Sequence, residues 1–393
     1  MATASKPSPL AALTAAAAAL PGYAGAAEPE LGYRFSYYVE DDLSAADALS
    51  PRGSERYEIQ THQLSSQSPL NDEWQLDSDV MIETLSGASP WFVVPNADND
   101  PVQVMSGATI QEERYALYGK AWRDRQQGER LGVAAGVSKE DDYDAVSAGV
   151  EKQWDVDQNH STLSLGGGVS FDRIRPTDGG SERFPDRVTS EPKRTATIYG
   201  GVSEILGPRT VLNLSLSYAL DTGYLSDPYK LVQVDGRTRN DARPDSRSQY
   251  ALGLRLRYAV PAWASRLRMD LRHFRDDWGI VSDTVELGTL SRVAEVWRVG
   301  ATLRWYQQSR ADFYAAFFPE ERVDGFYSSD YRLSPYGAVS GRLHLDYLGR
   351  HWQMGVGVER YDSDARYALR SVPVANPGLV DFTILTLALS YRY

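Results

Sequence analysis

The chain has 393 residues, with 41 Lys and Arg against 53 Asp and Glu, and its net charge of −12, with basic residues dispersed along the chain, argues against a nucleic-acid partner. The absence of cysteine excludes disulfide staples and thiolate metal sites and fits an oxidising compartment. A mean hydropathy of −0.43 with 24% charged residues excludes a helical membrane protein and leaves a β-barrel wall, in which every second residue can be polar, as the membrane class compatible with it.

The N-terminus reads as an export signal. Lys6 precedes an apolar run from Leu10 to Leu20 interrupted only by Thr14, Pro21-Gly22 breaks it, and Ala24-Gly25-Ala26 supplies a small-x-small cleavage site. Cleavage after Ala26 is expected, with residues 1–26 as the signal and 27–393 as a single domain. The run is too short to span a bilayer, which takes roughly 20 apolar residues.

From there the chain alternates with period two almost throughout. Leu212, Leu214, Leu216, Tyr218 and Leu220 share one face, and Asn213, Ser215 and Ser217 the other. Leu252, Leu254, Leu256 and Tyr258 alternate with Gly253, Arg255 and Arg257; Leu267, Met269 and Leu271 with Arg266, Arg268, Asp270 and Arg272. Val299, Ala301, Leu303 and Trp305 alternate with Arg298, Gly300, Thr302 and Arg304, and Leu343, Leu345 and Tyr347 with Arg342, His344 and Asp346. Short turns at 67–72, 123–129, 155–159, 207–208, 261–263, 291–295 and 349–350 interleave with long polar connections at 41–54, 87–108, 173–192, 221–246, 319–330 and 362–377. Two brief outer connections fall at 139–144 and 276–279. Short turns on one side and long loops on the other predict an all-β transmembrane antiparallel barrel of about 16 strands, with periplasmic turns, extracellular loops and both termini in the periplasm. Residues 280–290 and 311–318 read either as separate strands or as extensions of tall hairpins. The last strand, from Phe382, puts Leu385, Leu387, Leu389, Tyr391 and Tyr393 on one face and ends on an aromatic. Leu387, Leu389, Tyr391 and Tyr393 thereby form a terminal aromatic strand similar to the insertion signal of bacterial outer-membrane barrels. With 24 Tyr and 9 Trp against 10 Phe, the aromatics favour the polar-tipped types that interfacial girdles use.

Several runs carry a family resemblance: Ser86-Gly-Ala-Ser-Pro90 with Ser106-Gly-Ala-Thr-Ile110, then Thr222-Gly-Tyr-Leu-Ser-Asp-Pro-Tyr-Lys230 and Asp276-Asp-Trp-Gly-Ile280. Gln308-Ser-Arg-Ala-Asp-Phe-Tyr314 and Ser328-Ser-Asp-Tyr-Arg-Leu-Ser334 follow in the same order. The chain thus resembles an uncharacterised family of bacterial outer-membrane barrels known as domain of unknown function 3570. The resemblance implies a Gram-negative outer-membrane location and the company of periplasmic thioredoxin-like and flavin-transferase (flavinylated) proteins, and it supplies no catalytic residues. Where that pattern has a histidine this chain has Asp283, so no metal site is expected there.

The chemical feature of the chain is a charged inner row: Arg255, Arg257, Arg266, Arg268, Arg272, Arg298, Arg304 and Arg342 against Asp270, Asp346 and Glu359, with His344 among them. Charges face lipid only at high cost, so this row belongs to a lumen, either as a cationic pore wall or as an ion-pair lattice that fills it. His344, two residues from Asp346, has the chemistry of a general base or ligand, but no serine or second histidine is placed beside it by sequence. Asn96-Ala-Asp-Asn-Asp100 lacks the glycine and distal glutamate of a calcium loop and reads as an Asx-rich turn. Asp276-Asp277-Trp278-Gly279 reads as a loop tip with an interface tryptophan, and Gly166-Gly-Gly168 as a packing feature within a strand. No cofactor motif is found, and neither a cofactor, a metal nor an enzymatic activity is expected. The partners expected are outer-membrane lipid and lipopolysaccharide and the barrel-assembly machinery. The leading function is a porin-like channel in transport, or the membrane component of a secreted redox or metal-handling system; a non-conducting scaffold that holds a partner comes second and a barrel enzyme third.

Overall fold

A computed structural model describes residues 29–44, 47–49, 56–88, 90–106, 110–125, 128–156 and 160–393. The export signal lies outside the described residues. Sixteen antiparallel strands close into one barrel. In chain order they are β1 (Glu30–Glu40), β2 (Glu58–Pro69), β3 (Trp74–Gly87), β4 (Ile110–Arg125), β5 (Glu129–Lys139), β6 (Tyr143–Val156), β7 (Ser161–Ile174) and β8 (Glu191–Gly207). The second half comprises β9 (Thr210–Gly223), β10 (Ser246–Val260), β11 (Ser265–Asp276), β12 (Val281–Ala294), β13 (Trp297–Gln308), β14 (Tyr336–Leu348), β15 (Trp352–Asp364) and β16 (Phe382–Arg392). Each strand pairs with its chain neighbours, and β1 pairs with both β2 and β16, with Phe35 opposite Leu387, so the backbone ladder has no open edge.

Alternation sorts the wall into two faces. Exposed Leu216, Leu252, Leu287, Leu303, Leu343, Val356 and Leu387 lie on one, and buried Ser138, Ser147, Glu151, Asp172, Asn213 and Ser340 on the other, so the apolar face is outward and the polar face encloses the lumen. Trp74, Tyr258, Trp263, Trp297 and Trp352 ring the outside near the short turns, where amphipathic rings suit a membrane–water boundary. Residues 280–290 fall almost wholly within β12, whereas 311–318 form no strand.

Those residues belong to a cap that the sequence reading did not anticipate. The long connections, all at the end where β1 finishes, fold against one another. A hairpin of Leu231–Val234 and Arg237–Asn240 turns on Asp235-Gly236, both in left-handed conformation with φ of 50° and 68°, the two-residue geometry that matches strand twist. A second pairs Pro90–Pro95 with Pro101–Met105. The loops hold two apolar clusters, Trp278, Ile280, Ala311, Phe313, Tyr314 and Leu333 in one, and Val232 and Val234 of the first hairpin with Phe318 and Tyr327 in the other. The larger aliphatic and phenylalanine side chains contribute roughly 1.5–3 kcal/mol each on burial, so the loops hold a hydrophobic core of their own. Trp278 is 5% exposed with its indole N–H donating to the Ser246 carbonyl at 2.8 Å, which corrects the expectation of an interfacial tryptophan.

Candidate functional site

Cross-strand register decides which inner charges meet. Arg255 faces Asp270 and bonds to it; Arg268 reaches Asp270 at 2.8 Å and also pairs with Glu286. Arg298 binds Asp346 at 2.9 Å, and the Nε of Arg342 donates to Glu359 at 2.8 Å. Among the described residues Arg257, Arg266, Arg272 and Arg304 have no carboxylate within ion-pair distance, and all four are exposed on the inner face. Arg257 sits directly opposite Arg268 rather than an acid. The arc of wall from β10 to β14 is therefore half lattice, half unpaired positive charge, while Asp77 and Asp79 on β3 and Asp221 on β9 accept only from neutral donors and, among the described residues, have no cation within ion-pair distance. Across the ring, charges that sequence reasoning missed are paired: Lys120 binds Glu151 at 2.6 Å and lies 3.8 Å from the centre of the Trp122 ring, while Tyr199 donates to the same Glu151 at 2.9 Å.

His344 approaches Asp346 only at 3.9 Å, and its imidazole lies over Gly300, where a Cβ would come within 1.9 Å of the ring. Glycine at 300 is what lets the histidine lie flat on the neighbouring strand. Leu387, 54% exposed, faces outward between Phe35 and Val356, and Leu389 and Tyr391 share its face. The Tyr391 ring is 4.6 Å from Trp352, and Tyr393 follows the strand end, its N–H donating to the Pro29 carbonyl at 3.3 Å.

The cap is locked by buried charge. Arg332 bonds to Asp227 at 2.6 Å and to Asp330, whose carboxylate also accepts from Arg243 at 2.9 Å; Arg243 in turn holds Asp241 at 2.6 Å. Burial pushes the Asp330 carboxyl up, but Arg332, Arg243 and Lys230 around it hold it well below the usual carboxylate range. Burial pushes the Lys230 ammonium down to about 8 against the pull of Asp330, and its amine donates to the Pro90 carbonyl. Arg56, from the β1–β2 connection, binds Glu40 at 2.7 Å. Arg56 and Lys230 both stand 5.8 Å from the centre of the Tyr331 ring, although their connections are half the ring apart. Trp91 and Phe184, from two further connections, meet edge to face at 6.1 Å. Loops from opposite sides of the barrel thus converge over its mouth. The runs that carry the family resemblance supply this cap: Asp227, Lys230, Trp278, Phe313, Ser328, Asp330 and Arg332 all come from them.

Carboxylate oxygens of Glu112, Glu140 and Asp142 lie within 4.8 Å of one another and have the donor set for a divalent cation, but Arg114 stands 3.5 Å from Glu140 and Tyr229 donates to Asp142 at 2.8 Å. Arg114 balances one of the three carboxylate charges, and the neutral Tyr229 hydroxyl satisfies an oxygen without adding charge. The Asn96 side-chain Oδ1 accepts from the backbone amides of Asp98 at 2.9 Å and Asp100 at 2.8 Å, an Asx turn that closes its hairpin. Asp283 accepts from His273 at 2.8 Å and Gln307 at 3.0 Å. Gly166 and Gly167 lie against Tyr199 and the Thr197 carbonyl, as close packing within β7 requires.

No curated protein sequence matches the chain. Among solved structures it is similar to CdiB from Acinetobacter baumannii, at 8% identity and a TM-score of 0.51 over 93% of this chain and 60% of that one. OccK3 (OpdO) from Pseudomonas aeruginosa is 11% identical with a TM-score of 0.44, covering 93% of this chain and 95% of that one. The siderophore receptor PirA from Pseudomonas aeruginosa is 11% identical with a TM-score of 0.44 over 85% of this chain; the chain spans 56% of that receptor's length. At these identities the likeness is one of fold, that of an outer-membrane β-barrel. The model of the family described as "Protein of unknown function (DUF3570)" matches residues 10–378, and the chain belongs to that family.

Proposed function

We propose that the chain is a porin-like channel of the bacterial outer membrane that passes small anions and is closed at its loop end by its own cap. The observation that carries this reading is the set of exposed inner arginines without an acidic partner, Arg257, Arg266, Arg272 and Arg304. A wall of uncompensated positive charge lowers the barrier for anions and raises it for cations. The apolar outer band, the tryptophan ring near the turns and the terminal aromatic strand support insertion among outer-membrane lipid and lipopolysaccharide by the barrel-assembly machinery. Service to a secreted redox or metal-handling system, with thioredoxin-like or flavinylated partners, is supported by the family resemblance alone.

The cap favours a second reading, a non-conducting scaffold, because it covers one mouth with packed side chains. Single-channel recording in planar bilayers separates the two when wild type is compared with Arg332→Ala. That substitution leaves Asp227 and Asp330 buried without their shared cation, a loss on the order of 3–5 kcal/mol. The channel reading expects infrequent openings in wild type and longer ones in the variant; two folded but silent proteins would leave the scaffold.

A further inference from the structure

Just beneath the cap, the inner wall carries a row of rings that ends at two arginines without a counter-charge. Phe382 stacks on Tyr361 with ring centres 4.5 Å apart and planes 10° apart. Tyr336 lies 5.6 Å, centre to centre, from Tyr306. All four residues are half-buried: Tyr361 and Phe382 cover one face of each other, and Tyr38 packs against Phe382 at 4.8 Å, so each ring is only partly exposed on the inner face. Register sets Arg304 level with Ser340, Tyr361 and Phe382, and Thr284 level with Arg272 on one side and Tyr306 on the other. Glu286 stands across from Arg304 in register but is turned onto Arg268. Arg272 and Arg304, one strand apart and within electrostatic reach of each other, are both exposed.

Rings alone suit a neutral solute, and arginines alone suit any anion. Two guanidinium groups left uncompensated beside a row of partly exposed rings call for a solute with both characters, since guanidinium grips a carboxylate through a planar fork while tyrosine and phenylalanine rings pack on flat apolar surface. We propose that this row binds small organic anions that carry a flat ring, aromatic carboxylates being the simplest case. Arg272 and Arg304 hold the carboxylate, and Tyr306, Tyr336, Tyr361 and Phe382 take the ring. The proposal rests on the inner-wall reading above and names the class of solute for it.

Isothermal titration of benzoate into the folded protein in detergent tests binding without requiring current, so a silent bilayer would sink the channel while leaving this result intact. Saturable benzoate binding is expected, with acetate, which has the charge but no ring, and benzyl alcohol, which has the ring but no charge, each weaker by about tenfold or more. Arg272→Gln and Arg304→Gln should each lower benzoate affinity by about tenfold, the scale of one charge-assisted hydrogen bond, and Tyr361→Leu severalfold. Because neither arginine substitution strands a buried charge, those two variants keep the test open if the ring variant fails to fold, which heat-modifiable gel migration checks. No saturable binding to wild type, acetate binding as tightly as benzoate, or unchanged affinity in both arginine variants would each overturn the proposal.

Discussion

Lys230 is wholly buried in the cap, facing Asp330, Asp227, Arg332, Arg56 and Tyr331, and burial brings its ammonium from 10.5 to about 8. The closed cap therefore binds this proton less tightly than the opened cap does. It follows by linkage that the Lys230 contribution to cap stability is complete above pH 10.5 and is lost as pH falls through about 8, which amounts to about 1 kcal/mol between pH 7 and 9. Asp330, held well below its ordinary 3.8, contributes stability above that pH and loses it only in acid. Amide hydrogen exchange of residues 231–240, corrected for intrinsic rates, should show greater protection at pH 9 than at pH 7 in wild type and no such difference in Lys230→Met; equal pH dependence in both proteins would exclude Lys230 as the cause. None of this was legible from sequence. Arg332 and Asp227 are separated by 105 positions, and no local spacing marks them as partners. The inner arginines, by contrast, were legible as a face, because period two puts residues 266, 268, 270 and 272 on one side whatever the fold around them. Which of them are neutralised was not, since that depends on cross-strand register.

Strands were the most readable elements. Alternation and turn chemistry located β9, β10, β11, β13, β14 and β16 and the ends where each connection lies, because a barrel wall is built from local two-residue repeats between short turns. The long connections were read as polar and 311–318 as a strand or hairpin extension, because their apolar residues come in short runs; Ile280, Ala311, Phe313 and Leu333 acquire a common core only when distant loops meet. One signal was available, Asp235-Gly236 after Val232 and Val234, a hairpin signature within a stretch read as a single loop. The closing strand provides the test at this scale. Leu387→Arg places a charge on the outward face near mid-strand and should cost about 2–4 kcal/mol of barrel stability, whereas Thr386→Arg points into a wet lumen and should cost much less. Denaturant titration of both variants in lipid, followed by heat-modifiable migration, measures the difference; equal losses would contradict the assignment of faces.

At the scale of the whole molecule, a closed ring of sixteen strands sets two chemistries against each other: an inner wall with unpaired positive charge along β10, β11 and β13, and a cap whose buried ion pairs tie connections from opposite sides of the ring. The even strand number, the antiparallel order and the two unlike ends were legible in the alternation of short and long connections. The cap was not, because its contacts join loops from around the ring instead of chain neighbours. Unpaired charge on the wall matters for transport only if ions pass along it, and the sign of selectivity reports that directly. The decisive measurement is the reversal potential of the purified protein in a planar bilayer under a salt gradient, for wild type and for a variant carrying Arg257→Glu, Arg272→Glu and Arg304→Glu. Anion selectivity in wild type, shifted toward cations in the folded variant, is the predicted result; cation selectivity in wild type, or a selectivity that the three reversals leave unchanged, would contradict the account.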